Sequence, residues 1–240
     1  MTGVLLIARR ELFAYLRSPL GAGIMAGALL IDGLLFYWLA LTEKLLSAEV
    51  LQRFFYNTSG PTMAAALLLS MRLFAEERQT GTLVLLNTSP LKDWQIVAGK
   101  YLSALAVLIV LTLLSGYMPA MILVNGKISL GHVLVGYSGL ILLGSAAIAI
   151  GIFGSALARS QVVAIIVSAA ILAPLLLLWA VARAVDPPVN RFLSALAIHH
   201  DNFRPFMNGR LELGPVVYYV AMTYFFLLAS TKILEARRWR

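Results

Sequence analysis

An all-α integral membrane protein with six spans is the fold class this sequence predicts, on three observations. Hydrophobic residues make up 60% of the chain against 12% charged, with a mean hydropathy of +0.87. A water-soluble domain of this length sits nearer half apolar and a quarter charged. The apolar residues also gather into stretches of about 20 or more, the length that crosses roughly 30 Å of hydrocarbon as helix. The alternating pattern of an outer-membrane strand is missing, so the backbone groups are expected to be satisfied within helices.

The first 19 residues read as a helix lying in the interface. Leu5, Leu12, Phe13 and Leu16 share one helical face, Arg10, Glu11 and Arg17 lie elsewhere, Arg9 must snorkel, and Ser18-Pro19 breaks the run. No charge precedes Val4, Leu5, Leu6 and Ile7, whereas Arg9, Arg10 and Glu11 follow them, so this segment is expected to stay attached. The six spans fall at residues 20–42, 61–74, 99–124, 130–157, 162–185 and 215–234; the second is short, with a possible start within 54–58.

Between the second and third spans, residues 75–98 form a charged, glycine-punctuated insert. Two carboxylates, Glu76 and Glu77, precede a break at Gly81, a short apolar run and a stop at Pro90. This pattern predicts an elbow carrying a small helix. Between the fifth and sixth spans, residues 186–214 open on Asp186-Pro187-Pro188. A short amphipathic turn of Phe192, Leu193, Leu196 and Ala197 follows, then Phe203, Phe206 and Leu211 among polar residues. So apolar a loop is expected to be partly helical and to fold back onto the membrane surface. No internal repeat is visible, and residues 1–240 read as one domain.

Six spans place both termini on one side. Twelve of the 19 Lys and Arg lie with the termini, the 72–100 insert and the Arg159 turn, so that side is expected to be cytoplasmic. The net charge of +8 is thus a matter of membrane topology and does not call for nucleic acid. The lack of cysteine excludes disulfides and thiolate metal sites.

Asp32 stands near the middle of the first span, where an ionised carboxylate costs at least ~2.5 kcal/mol unless paired, hydrated or protonated. It reads either as part of a translocation path or proton-linked site, or as an inward Asp bonded to a neighbouring Ser, Thr or Tyr. Arg72 and Arg183 can snorkel at their span ends. His199, His200 and Asp201 are adjacent on the outer loop, but His132 is distant in sequence and no metal-ligand spacing recurs, so a solvated turn is the expectation. No catalytic constellation, phosphate-binding loop or dinucleotide fingerprint occurs. If ATP drives this protein, another chain binds it. Pro119 and Pro174 lie inside spans, where each permits a kink. Gly144, Ala147, Gly151, Ser155 and Ala158 recur at helical spacing, as do Gly23 and Gly27, which suits close helix packing.

The insert resembles that of the ABC-2 type permeases, the membrane subunits of ATP-binding-cassette exporters. The residues that carry the likeness are Phe74-Ala75-Glu76-Glu77-Arg78-Gln79-Thr80-Gly81-Thr82-Leu83, then Leu86, Thr88-Ser89-Pro90, Asp93-Trp94, Ile96-Val97 and Gly99-Lys100. Ala8-Arg9-Arg10-Glu11-Leu12 is similar to the family's interfacial helix, and Leu234-Glu235-Ala236-Arg237-Arg238-Trp239 to a common ending. His200 to Phe203, Gly209 and Val217-Tyr218-Tyr219 look closest to the branch of gliding-motility-associated and nitrous-oxide-reductase-maturation permeases, although Gly214-Pro215 departs from it.

The resemblance implies a multi-pass protein of a bacterial or archaeal cytoplasmic membrane, working with a second permease subunit and a separate ABC ATPase that holds ATP and Mg. It implies that the insert is a coupling helix meeting the ATPase near Glu76, Glu77, Arg78, Thr80, Gly81, Thr82, Leu83 and Leu86. Export is the function it implies, with no catalytic, cofactor or metal site on this chain. Two other readings stand beside it: transmission of ATPase motion to a periplasmic partner without solute transport, and an ion-coupled carrier built on Asp32.

Overall fold

The structure is a computed structural model that describes residues 2–40, 47–82, 91–125 and 128–238. Among these residues the regular structure is all helical, with no strand. Helix α1 (Thr2–Arg17) leads through Ser18 into α2 (Pro19–Leu35), which continues as a π-helical turn over Phe36–Ala40. Ser18 caps α2 by accepting from Leu20 N at 3.3 Å, and Pro19 occupies the first helical position, where its missing N–H costs nothing. Gly21 allows the sharp corner. A Cβ there would lie 2.4 Å from the carbonyl oxygen of Tyr15.

Helix α3 (Ser47–Gln79) is 33 residues long, about 50 Å at 1.5 Å per residue. It continues through Pro61, so the expected short second span is corrected to a rod running the length of the bundle. Polar residues such as Thr58 and Ser59 broke the apolar pattern, yet both are buried against the rest of the fold. The third apolar segment divides into α4 (Asp93–Leu114) and α5 (Tyr117–Asn125). The interruption falls at Ser115-Gly116, just ahead of the kink expected at Pro119. Pro119 thereby sits in the first turn of α5, where a proline is tolerated.

Helix α6 (Leu130–Leu157) is the axis of the bundle: 78% of its central apolar window is buried, against 22% for α2. Its glycines are where its neighbours press closest. A Cβ on Gly151 would lie 1.7 Å from Ser70 Oγ of α3, one on Gly144 2.4 Å from Leu108 of α4, and one on Gly154 2.1 Å from Ser168 Oγ of the next helix. The glycine and serine spacing read from the sequence is therefore a packing seam, whereas Gly23 and Gly27 of α2 face open space.

Helix α7 (Gln161–Arg183) is unbroken at Pro174, and α10 (Leu213–Arg238) closes the bundle. Between them lie α8 (Val189–Leu196) and α9 (His200–Met207). Helix α8 and Leu211 fit the expectation of a surface segment, Phe192 and Leu211 each being 66% exposed. The stretch from Ile198 through α9 is corrected: Ile198, Phe203 and Phe206 are buried, and Phe206 fits the gap left by Gly139 of α6. Burying two phenylalanines inside protein is worth more than laying them in the interface.

Among the described residues, five helical runs are long and apolar enough to cross a membrane: Pro19–Trp38, Asp93–Ile122, Leu130–Leu157, Gln161–Arg183 and Leu213–Ala236. Contacts order the two ends of the molecule. Glu77 at the end of α3 meets α1, Arg78 meets the end of α6, and Phe153 near that end meets Phe226 of α10. At the opposite end, Ser59 of α3 meets His199, and His132 of α6 meets Met207.

Candidate functional site

The end of α3 is built as an exposed tip on a buried clamp. Gly81 takes a left-handed backbone, φ +71°, just beyond Gln79, the conformation that stops a helix and that glycine adopts without a Cβ penalty. Thr80 N returns to Glu76 O at 2.9 Å, and the Thr80 and Thr82 hydroxyls lie 2.9 Å apart. Gln79, Thr80, Gly81 and Thr82 are all exposed. Glu76 is part-exposed and paired with Arg72, Nε to Oε2 at 3.0 Å. Leu83 and Leu86, with the rest of the expected small helix up to Pro90, lie outside the described residues.

Glu77 and Arg78 point the other way. Glu77 Oε1 accepts from Lys100 Nζ at 2.8 Å and from Arg10 Nη2 at 2.9 Å. Lys100, 0% exposed, also donates to Glu11 Oε1 at 3.2 Å and to the carbonyl of Leu73 at 2.6 Å, and its ammonium lies 5.1 Å from the centre of the Phe74 ring. Arg10 completes the set at 2.6 Å from Glu11. Two cations and two carboxylates from α1, α3 and α4 thus make a neutral cluster, with Lys100, Glu11 and Glu77 enclosed and Arg10 closing it from the exposed side, and this pairing offsets the cost of so enclosed an ammonium. Burial alone would push the Glu11 carboxyl up, but Lys100 and Arg10 hold it below the usual carboxylate range. Burial would likewise lower Arg10, and Glu11 and Glu77 reverse that.

Arg78 caps α6. Its guanidinium donates to the carbonyl of Ala158 at 2.6 Å and to that of Ala156, two acceptors left over where the helix ends and where its dipole favours a cation. One turn back, Ser155 Oγ accepts from the amides of Phe74 and Ala75, at 3.1 and 3.0 Å, and donates to Met71 O at 2.7 Å. The last turn of α3, just behind the tip, is therefore tied to α1, α4 and α6 by polar contacts.

The sequence reading set Glu11 off the apolar face of Leu5, Leu12, Phe13 and Leu16 and gave it no partner. Glu11 shares the buried face with Gly3, Ile7 and Tyr15, because Lys100 needs its charge. Lys100 lies several residues inside an apolar helix, and a lysine at such depth calls for a carboxylate. That signal could have found the pair.

Asp32 is 4% exposed, and its Oδ1 has no hydrogen-bond partner among the described residues. It stands within electrostatic reach of the Tyr137 hydroxyl, which lies 3.2 Å from Ser115 Oγ at the α4–α5 break. At the far end of the molecule, a cavity of about 620 Å³ is lined by Glu49, His132, Asp201, Arg204, Arg210 and Glu212 among others. His199 is half-buried beside it, stacked on Phe203. Ser59 Oγ donates to Tyr56 O at 2.6 Å and lies 2.7 Å from His199 Nε2, which therefore donates to it. Burial depresses the imidazole to about 4. The solvated turn expected here is thus corrected for His199.

The family model for ABC-2 family transporter protein matches residues 22–230. The chain belongs to that family. No curated protein sequence matches it. As an ABC-2 transporter family protein it is a multi-pass membrane component of an ABC transporter, and such a permease implies an associated ABC ATPase subunit. The matched region takes in α3, the tip, the clamp residues Glu77 and Lys100, and Asp32. Helix α1, with Arg10 and Glu11, precedes it.

Proposed function

We propose that this chain is the permease subunit of an ATP-binding-cassette exporter, driven by a separate ATPase that docks on the tip beyond α3. The observation that carries this reading is the pairing of an exposed Gln79–Thr82 tip with the Glu11–Glu77–Lys100–Arg10 clamp behind it. A push at the tip acts on α1, α3 and α4 together, and such a lever can switch a helical bundle between two packings. Family membership supports the presence of the ATPase. ATP and Mg belong on that partner.

In this reading α3 is a sixth crossing, because it runs between the same two ends as the five apolar spans. The tip, α1 and the end of α10 then face the cytoplasm of a bacterial or archaeal inner membrane, in keeping with the twelve basic residues gathered there. A second permease subunit completes the path, and Asp32 is its candidate polar element. ATPase contact is assigned to Glu76, Gln79, Thr80, Gly81 and Thr82, continuing through Leu83 and Leu86, while Glu77 and Arg78 hold the lever. The likeness of the outer segment to the gliding-motility and nitrous-oxide-reductase-maturation branch supports placing the chain near that branch.

The test uses Gly81→Trp and the pair Thr80→Arg/Thr82→Arg, with co-purification of the ATPase and ATP-dependent transport in vesicles as readouts. Both variants should fold and lose the ATPase. Undiminished association and activity would refute the docking assignment. A second reading, transmission of motion to a periplasmic partner, is favoured by the charged cavity beside α9. It predicts a periplasmic protein captured with the complex and no solute moved.

A further inference from the structure

Helix α1 presents a second face that the bundle leaves uncovered. Opposite the buried stripe of Gly3, Ile7, Glu11 and Tyr15, the side chains of Leu5 (61% exposed), Leu6 (68%), Phe13 (46%) and Leu16 (56%) point outward. Two guanidiniums are set among them. Arg9 lies 5.6 Å and Arg17 5.9 Å from the centre of the Phe13 ring, one helical turn to either side. Unlike Arg10, neither is recorded in any hydrogen bond or ion pair with the described residues. An apolar strip studded with cations that lack carboxylates complements a lipid surface bearing negative charge, and no soluble acidic protein would call for four exposed large apolar side chains.

From this charge and shape we propose that the outward face of α1 binds anionic phospholipid headgroups. Arg9 and Arg17 take the phosphodiester, and Leu5, Leu6, Phe13 and Leu16 enter the acyl layer. Arg9 adjoins Arg10 in the chain, so the lipid site stands one residue from the clamp that holds the tip. The assignment concerns the permease alone and does not require the ATPase reading to be right.

The test is native mass spectrometry of the full chain in mild detergent, titrated with short-chain phosphatidylglycerol or phosphatidylcholine. Wild type should bind phosphatidylglycerol roughly 30-fold more tightly than phosphatidylcholine. Each basic residue at an anionic surface contributes on the order of a further factor of five, so Arg9→Gln/Arg17→Gln should weaken phosphatidylglycerol binding roughly 30-fold and leave phosphatidylcholine unchanged. Arg9→Lys/Arg17→Lys should keep most of the preference, and Arg191→Gln on α8 all of it. Equal binding of the two lipids by wild type, or a preference that survives Arg9→Gln/Arg17→Gln, would overturn the proposal. So would displacement of the lipid by equimolar inorganic phosphate, which would make free phosphate the ligand.

Discussion

Lys100 Nζ lies 2.8 Å from Glu77 Oε1, joining the first turns of α4 to the last turn of α3 inside the protein. Removing one partner of such a buried pair leaves an uncompensated charge and costs about 3–5 kcal/mol. Lys100→Met should therefore lower the thermal midpoint sharply, and adding Glu77→Gln should recover part of the loss. A thermal melt series over the two single variants and the double checks this. Additive losses would show that the two side chains do not act as a pair.

The α6 seam and the α2 face should respond oppositely to the same added methyl. Gly151→Ala drives a Cβ onto Ser70 Oγ and should destabilise by about 1–3 kcal/mol, with relief when Ser70→Gly is added. Gly27→Ala meets nothing within 4 Å and should leave the melting temperature of the solubilised protein within the error of measurement. Equal effects at the two positions would refute the central placement of α6.

Acid should loosen the protein in two steps. His199 is neutral when folded, with its pKa depressed to about 4, while the unfolded imidazole takes up a proton near its ordinary 6.5. Its full contribution is present above pH 6.5 and falls away between there and about pH 4, by up to about 3 kcal/mol at 1.36 kcal/mol per pKa unit. His199→Gln should flatten that part of the profile. The Glu11 carboxyl is held below its usual value, so its contribution is complete above the ordinary glutamate range and is lost at more acid pH, as protons reach the folded clamp. Melts from pH 3.5 to 7.5 on the two proteins separate the steps.

Asp32→Asn should preserve the fold, since it removes a charge from a site with little to pair it, and should alter transport if Asp32 belongs to the path. Melting temperature and vesicle uptake, read together, decide it. A variant that transports normally and melts normally would remove Asp32 from the path.

How much was legible in the sequence differed by element. The membrane class followed from hydropathy, because a bilayer demands long apolar runs. The turn at Ser18-Pro19 and the stop at Gly81 were legible because each depends on local backbone chemistry. The length of α3 was not, since Thr58 and Ser59 look like loop residues until the folded bundle buries them. Glu77 and Arg78 read as surface charges for a partner to grip. Their true neighbours, Lys100 and the carbonyls of Ala156 and Ala158, lie too far along the chain for spacing to reveal.

The bare backbones of Gly144, Gly151 and Gly154 leave α6 no slack: its neighbours already rest against it at less than the width of a methyl group. A bundle seated in this way can slip or turn about that mast but cannot be squeezed toward it. Room to yield lies instead along Gly23 and Gly27, where α2 borders an apolar groove of about 450 Å³. In the switching proposed above, that is the flank with space to give.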